Sequence, residues 1–332
     1  MTSMPRRAFL ALLGGVVGDA PRVARAQQPG RIYRLGILNS TTTPAPSDQH
    51  TSAFLILKGL TELGYASGQN LAVEVRYAEG RLERLPELAR ELVQLGADVI
   101  VAVTQSGARA ARQATTVIPI VFYGNFDPIA AGLVKSLAKP EGNLTGILIA
   151  PAGTLAGKKL ELLREAVPQA TRIAFLSPED PPFQLQVRET QQAASALGII
   201  LRVTVVRHRD YERAFSSLTA ERPGALFVGA TAQFVRDRRQ IIALAARHRL
   251  PAMYEWPEQV EDGGLMSYGS SLPGTTRRVA AYVDRLFKGD RPSDLPIEQP
   301  AEFQLAINLR TARALGLTLP SSLVARAERV IE

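Results

Sequence analysis

The sequence predicts an α/β protein made of two duplicated lobes, each a doubly wound parallel sheet, that are joined by a hinge. Three observations predict this class. Short apolar strand patterns alternate with amphipathic helices from Arg31 onward, which is typical of parallel sheets covered by helices on both faces. The same alternation occurs twice in the same order. About 306 residues remain after an N-terminal export segment, a length that suits two domains rather than one.

The first 26 residues are predicted to be a cleavable signal peptide. Arg6 and Arg7 precede an apolar run that ends at Val17. Ala24-Arg25-Ala26 then places small residues at the two positions that signal peptidase recognises, so we expect cleavage after Ala26. The paired arginines with Phe9-Leu10 behind them resemble a twin-arginine signal, which directs export after folding. The alternative is a basic N-terminus without a targeting role. This apolar run and every later one are too short to span a bilayer.

The amino-acid composition limits which binding partners and which cellular compartment are expected for this chain. The formal charge of +8 falls to about +5 when the export segment is removed, and arginines are interspersed with acidic residues along the helices. We therefore expect no nucleic-acid partner. The chain has no cysteine, which excludes disulfides, thiolate catalysis, thiolate metal sites and a lipid-modified cysteine anchor. The expectation is a freely soluble periplasmic protein, monomeric, without stable membrane insertion.

The first lobe opens with an ordered series of elements. Tyr33–Leu38 is a short apolar strand, and Ala53–Gly64 has helical spacing with glycine at its end. Leu71–Ala78 alternates apolar and polar residues, which predicts a strand, and Arg81–Gly96 has the spacing of an amphipathic helix. The largely apolar run Asp98–Val103 predicts a buried strand. This order is typical of βαβ units in a parallel sheet.

Five segments of this lobe have counterparts roughly 120 to 140 residues later, in the same order. Chance alternation would not preserve order, element type and spacing together, so the pattern indicates a duplication. The pairs are Ile32–Thr41 with Thr171–Asp180, the helix end at Gly64 with that at Gly198, Ala97–Ser106 with Pro223–Ala232, Ile118–Asn125 with Leu250–Pro257, and Gly142–Leu148 with Gly263–Gly269.

The C-terminal part of the chain has no such counterpart. Thr275–Gly289 is a basic amphipathic helix, Phe303–Asn308 reads as a strand, and a short helix follows through Leu315. We infer that the chain crosses between the lobes more than once, which makes a hinge and allows closure on a ligand. The predicted lobes are residues 31–149 plus 270–300 and residues 150–269 plus 301–332.

Ligands of open parallel sheets bind beyond the carboxyl ends of the strands, where loops lead into helix N-termini. Small hydroxyl residues there suit a carboxylate, because their side chains and the free backbone N–H groups both donate and the helix dipole favours an anion. The candidate ligand contacts are Asn39, Ser40, Thr41, Thr104, Gln105, Ser106, Asn125 and Asp127 in the first lobe, and Ser177, Thr231, Glu255, Trp256 and Tyr268 in the second.

Several of these candidates have a structural alternative. Ser40 and Ser106 serve equally well as helix caps or turn residues. Thr104 ends a buried strand, which favours a ligand contact. Asp127 either starts the next helix or holds a ligand ammonium. Trp256, the only tryptophan, is either an aromatic platform for the ligand or part of the core.

The sequence contains no pattern of residues that is typical of a catalytic site. His50 could reach the cleft, His208 between two arginines reads as surface, and His248 lies near a predicted helix end. No spacing suggests a metal site, a nucleophile elbow, a P-loop or a dinucleotide fingerprint. We therefore expect neither an enzyme nor a bound cofactor or metal.

A set of segments resembles one known family over about residues 31–332, with the motifs in order. The segments are GLTELGYASGQNLAVEVRYAEGRLERLPELARELVQLGADVIVA, IPIVF with Asp127-Pro128 and Gly132-Leu133-Val134, GNLTG, GKKLELLREAVP, LAARHRLPAMY, GGLMSYG, RRVAAYVDRLFKG and INLRTARALGLTLP. Together they resemble the ABC transporter substrate-binding family typified by tryptophan- and tyrosine-binding proteins.

The resemblance implies a type I periplasmic binding protein fold, a small ligand held between the lobes, and delivery to an ABC transporter permease in the inner membrane. Together with the aromatic residues of the predicted rim, it favours an amino acid or an aromatic carboxylate as ligand. Two other classes stay open: a ligand-sensing module of a membrane receptor, and an exported α/β enzyme, because fold does not fix function. The signal peptide argues against a repressor.

Overall fold

The computed structural model describes residues 30–45, 48–49, 51–150, 155–179 and 183–332. The predicted signal peptide and His50 therefore lie outside the described residues. The chain from Ile32 to Glu332 forms one compact unit. Within the described residues, no helix combines the length and the apolar character that crossing a bilayer requires.

Strands and helices alternate through most of this unit. The strands are β1 (Tyr33–Asn39), β2 (Leu71–Tyr77), β3 (Val99–Val103), β4 (Ile120–Gly124), β5 (Leu144–Leu148), β6 (Arg172–Pro178), β7 (Ile200–Val206), β8 (Ala225–Val228), β9 (Ala252–Tyr254), β10 (Met266–Gly269), β11 (Gln304–Asn308) and β12 (Arg329–Ile331). The helices are α1 (Ser52–Glu62), α2 (Leu85–Gln94), α3 (Thr104–Ala114), α4 (Leu155–Ala166), α5 (Gln184–Ala196), α6 (Tyr211–Ala220), α7 (Ala232–Arg236), α8 (Arg238–Arg247), α9 (Pro257–Glu261), α10 (Leu272–Phe287), α11 (Leu309–Ala314) and α12 (Ser321–Ala325).

The strands form two sheets with a repeated order. The first sheet runs β2-β1-β3-β4-β5 and is parallel throughout. The second runs β12-β11-β10-β9-β8-β6-β7, in which β7-β6-β8-β9-β10 repeats the order of the first sheet. The predicted α/β class with two duplicated lobes is confirmed. The second sheet differs from a purely parallel one in a single pairing, because β11 lies antiparallel to β10.

Burial explains why these segments adopt their structures. All five residues of β3 are buried, as expected of a central strand covered by helices on both faces. Helix α2 buries Leu85, Leu88, Ala89 and Leu92 on one face, the spacing of an amphipathic helix against a sheet. Strand β1 is followed by a polar loop that leads into α1, and β3 leads directly into α3.

The chain passes between the two sheets three times. It leaves the first sheet after β5, returns between β10 and α10, and crosses again before β11. Helix α10 packs on α1, where a Cβ on Gly59 would lie 2.9 Å from the Cβ of Ala280. The backbone of Glu298 pairs with Ile147 at the edge of the first sheet. Two of the passages are linked to each other, because the Ser270 hydroxyl donates to the carbonyl of Ile149 at 2.8 Å.

Candidate functional site

Three adjoining chambers lie between the carboxyl ends of the two sheets, and each is lined by residues of both lobes. The inner chamber has a volume of about 60 Å³. Its lining consists of Ser52, Val103, Thr104, Gln105, Tyr123, Gly124, Asn125, Phe126, Ile149, Phe183, Ala230, Thr231, Ala232, Val235, Trp256 and Leu272. No residue in this set carries a charge.

The other two chambers lie nearer the surface. The outer chamber, of about 320 Å³, is lined by Ser40, Thr41, Thr42, Glu79, Gly80, Arg81, Leu82, Pro178, Glu179, Val206, His208, Arg209, Thr231, Gln233, Arg236 and Asp237. Between it and the inner chamber lies the rim chamber, lined by Asn39, Thr41, Thr42, Pro44, Asp48, Thr51, Ser52, Tyr77, Ala232, Val235 and Arg236. Neighbouring chambers share lining residues, so the three adjoin one another.

Two helix N-termini of the first lobe face the inner chamber. Helix α1 begins at Ser52 after its cap Thr51, whose hydroxyl accepts from the amide of Phe54 at 3.2 Å. Helix α3 begins at Thr104, which has a φ of 76°, a left-handed conformation that is unusual for a β-branched residue. Because the first amides of a helix have no partner within it, both ends offer N–H donors and a positive dipole end to a polar ligand group.

Trp256 forms the second-lobe wall of the inner chamber. It follows β9, is only 2% exposed, and packs in one core cluster with the first-lobe residues Tyr123 and Leu272. Its backbone amide donates to Oε1 of Gln259 at 3.1 Å, which fixes the loop. Its indole Nε1 has no hydrogen-bond acceptor among the described residues. A buried donor of this kind is rare and suits a site that receives a ligand.

A buried ion pair lies behind Trp256. Lys159 on α4 contacts Glu255 through a hydrogen-bonded ion pair, and the two residues are 5% and 2% exposed. The Lys159 ammonium also lies 5.9 Å from the ring centroid of Phe227. Since Glu255 directly precedes Trp256, this pair anchors the loop that carries the tryptophan.

The outer chamber is charged, and one of its side chains crosses between the lobes. Arg209 forms a bidentate pair with Asp237, with hydrogen bonds of 2.9 and 2.5 Å, and the hydroxyl of Tyr211 donates to the same carboxylate at 2.6 Å. Arg209 also donates to the Thr42 hydroxyl of the first lobe at 3.2 Å. His208 and Arg209 have φ values of 48° and 60°, so the loop that presents them is strained.

Five of the predicted contacts meet at the inner chamber. They are Thr104, Gln105, Asn125, Thr231 and Trp256. Three others lie in the neighbouring chambers: Ser40 and Thr41 line the outer chamber, and Asn39 lines the rim chamber. The Asn39 carboxamide accepts from both the amide and the hydroxyl of Thr41, at 3.0 and 2.9 Å, so it shapes the turn after β1.

The other five predicted contacts line none of the three chambers. Ser106 lies in the first turn of α3, and Tyr268 lies on β10 against the ring of Phe303. The Asp127 carboxylate accepts from the amides of Ile129 and Ala130, at 2.9 and 3.0 Å, which is the turn-forming alternative for this residue. The two remaining residues are buried: Ser177 donates to the carbonyl of Pro178 at 3.1 Å, and Glu255 pairs with Lys159.

Sequence patterns missed several residues of the cleft. Ser52, Ala232 and Val235 line both the inner and the rim chamber, and Phe183 lines the inner chamber. Ser52 was detectable, because it opens a helix at the end of a polar loop. Phe183, which precedes α5, and Arg236, which ends α7, were not, since nothing local indicates that these residues face the opposite lobe.

The histidines and acidic residues form no cluster of metal ligands in the described part of the chain. No three His, Asp or Glu side chains cluster there as metal ligands. His208 is exposed at the outer chamber, and His248 follows α8 with its ring stacked 5.9 Å from that of Phe215.

Comparison with known proteins identifies one family. Residues 49–331 match the model of the family described as ABC transporter substrate binding protein. A tyrosine-binding protein of Clostridioides difficile (strain R20291) is 25% identical over 264 residues, which is 79% of this chain and 75% of that protein.

Solved structures share the fold over nearly the whole chain. A conserved domain protein from Vibrio cholerae O1 biovar El Tor superposes with a TM-score of 0.80 at 25% identity, covering 90% of this chain and 100% of that one. An ABC domain from Streptococcus pneumoniae in complex with L-Trp gives a TM-score of 0.79 at 24% identity, with the same coverage. The predicted type I periplasmic binding protein fold is confirmed.

Proposed function

The chain belongs to the ABC transporter substrate-binding protein family, and from this premise we propose that it captures an aromatic amino acid or a related aromatic carboxylate between its lobes and delivers it to a membrane permease. The observation that carries the ligand class is the lining of the inner chamber. Its walls are apolar and aromatic, and its polar groups are hydroxyls, amides and two helix N-termini. Such a site suits an apolar ring with one anionic group.

The aromatic walls come from both lobes. Tyr123 and Phe126 are on the first lobe, and Phe183 and Trp256 are on the second. The hydroxyl of Tyr123 is already engaged with Thr275 at 3.2 Å, and burial raises the pKa of this phenol, so it stays neutral. The chamber of about 60 Å³ is smaller than a cavity that holds an aromatic ring, so a ring would enter as the lobes open. Closure would then desolvate the ring against these walls, which favours an aromatic ligand over a sugar.

We assign the ligand contacts to the predicted residues that line the inner chamber. Thr104, Gln105 and Asn125 face the ligand from the first lobe, and Thr231 and Trp256 face it from the second. The unpaired indole N–H of Trp256 would donate to a hydroxyl oxygen on the ligand ring, such as the phenol oxygen of tyrosine. The relatives support this ligand class, since one is a tyrosine-binding protein and another was solved with L-Trp.

Export to the periplasm and delivery to a permease complete the proposal. The family is that of transporter substrate-binding proteins, and the N-terminal sequence has the parts of a signal peptide. The protein itself needs no catalytic group for this task, because capture and release require only opening and closure of the lobes.

The test is calorimetric titration of the purified protein with L-tryptophan, L-tyrosine, L-phenylalanine and aromatic acids such as indole-3-acetate. Trp256→Phe keeps a ring in the wall but removes the indole N–H, so we expect the affinity for L-tyrosine to fall about fivefold, the effect of one lost hydrogen bond of about 1 kcal/mol. Tyr268→Phe is the matched control, because Tyr268 lines none of the chambers. Equal affinity of Trp256→Phe and the wild type would remove Trp256 from the site.

A further inference from the structure

Arg236 occupies an unusual position in the cleft. It is the last residue of α7 in the second lobe, is half-buried, and lines both the rim chamber and the outer chamber. It therefore faces the two chambers that adjoin the inner chamber. None of the sequence patterns singled it out.

The neighbouring arginines of the same lobe are neutralised by carboxylates. Arg209 is paired with Asp237, and Arg238 donates to Asp262 at 2.6 Å. Arg236 differs, because within the described residues it donates no hydrogen bond and has no carboxylate within ion-pair distance.

Two first-lobe carboxylates line the same chambers as Arg236, and each has another partner in the structure. Oε1 of Glu79 accepts from the amide and the hydroxyl of Thr43, at 3.0 and 2.7 Å. Those hydrogen bonds are the main cause of the lowered pKa of Glu79, and the positive charge of Arg236 adds to the effect from the opposite lobe. Asp48 in the rim chamber lies 3.7 Å from Arg238. The charge of Arg236 thus acts on Glu79 across the cleft, but no carboxylate of the described residues is in ion-pair contact with it.

A guanidinium that is partly withdrawn from water without a bound carboxylate is unfavourable, and an anionic ligand would relieve that cost. The opposite wall of the rim chamber offers a complementary group. Thr51 and Ser52 line it at the start of α1, an eleven-residue helix whose first amides have no partner within the helix. Ser52 also lines the inner chamber, so a short ligand can reach both places.

We propose that Arg236 binds the carboxylate of the ligand against the N-terminus of α1, while the apolar part of the ligand occupies the inner chamber. This inference rests on the proposed function and deepens it. The carboxylate would bridge the two lobes, so ligands that carry it would close the cleft and analogues that lack it would not. Arg236 is then the residue that sets the preference for acids.

The experiment compares an acid with its amide on three variants. Calorimetric titrations of L-tryptophan and L-tryptophanamide are made with the wild type, Arg236→Gln, Arg236→Lys and the control Arg239→Gln, whose side chain is 77% exposed on α8. We expect the wild type and the control to prefer the acid by about tenfold to a hundredfold, the effect of hydrogen bonds to a charged group. In Arg236→Gln this preference should fall to about twofold or less, with Arg236→Lys in between.

The remaining outcomes separate this inference from the proposed function. If Arg236→Gln weakens acid and amide equally, Arg236 is only a contact between the lobes, and the inference is overturned while aromatic ligand binding stands. The same holds if the wild type does not distinguish acid from amide. If the wild type binds no aromatic amino acid or acid, the proposed function fails and the inference falls with it. Melting temperatures of the ligand-free variants should match that of the wild type, which shows that they fold.

Discussion

Replacing Lys159 with methionine tests how the cleft wall is held in place. Lys159 and Glu255 are 5% and 2% exposed, so Lys159→Met would leave the Glu255 carboxylate buried without its cation. Removing one partner of a buried ion pair costs about 3–5 kcal/mol, mainly because the remaining charge stays desolvated. Methionine keeps the length and the apolar stem of lysine, so the loss comes from the charge rather than from a cavity.

The assay is thermal and denaturant unfolding of the ligand-free protein. Because 1 kcal/mol shifts the melting temperature of a domain of 150–250 residues by about 2–4 °C, we expect Lys159→Met to lower it by about 6–20 °C. Lys158→Met is the control, since the Lys158 side chain is 44% exposed and lies 3.7 Å from Glu161 on the same helix. Its effect should stay within about 0.5 kcal/mol.

A double variant completes the cycle. Lys159→Met combined with Glu255→Met removes both charges, so we expect it to be more stable than Lys159→Met alone. The reasoning is refuted if Lys159→Met costs no more than Lys158→Met, or if the double variant loses the sum of the two single losses. In either case the pair would not be what anchors the loop of Trp256.

Further predictions concern helix packing and a buried carboxyl. Gly59→Ala should cost about 1–3 kcal/mol in denaturant unfolding, because its Cβ would lie 2.9 Å from that of Ala280. Gly157→Ala in α4 meets its nearest atom at 3.9 Å and should instead stabilise by up to about 1 kcal/mol, so equal signs would contradict the packing argument. Burial raises the pKa of the Glu258 carboxyl in the folded protein above its value in the unfolded chain. The stabilisation linked to this carboxyl is therefore fully present below the unfolded pKa, and it is lost as the pH rises through the folded pKa. Glu258→Gln should therefore raise the melting temperature at pH 8 but not at pH 4, and an equal gain at both would oppose it.

The fold was largely predictable because burial leaves a local pattern. Runs such as Val99–Val103 are apolar throughout only when both faces of a sheet are covered, and their counterparts in the second half recur in the same order. The direction of β11 was not predictable, since an apolar run looks alike in a parallel and an antiparallel pair. The strand Arg329–Ile331 was missed because it is only three residues long and mostly exposed.

The candidate site was predictable only where strand ends define it. The rule that ligands meet the carboxyl ends of strands found Thr104 and Trp256. The same rule also selected Asp127, which satisfies the amides of its own turn, because a cap and a ligand contact have the same local sequence. Phe183 and Arg236 enter the cleft only through the placement of one lobe against the other, which no local pattern encodes.

The central claim is that the interlobe cleft holds one aromatic carboxylate, and titration calorimetry of the purified protein tests it most directly. We expect saturable binding of one molecule per chain for at least one aromatic amino acid or aromatic acid, and a rise in melting temperature that grows with ligand concentration. Heats indistinguishable from dilution for every member of the panel, with an unchanged melting temperature, would contradict the claim.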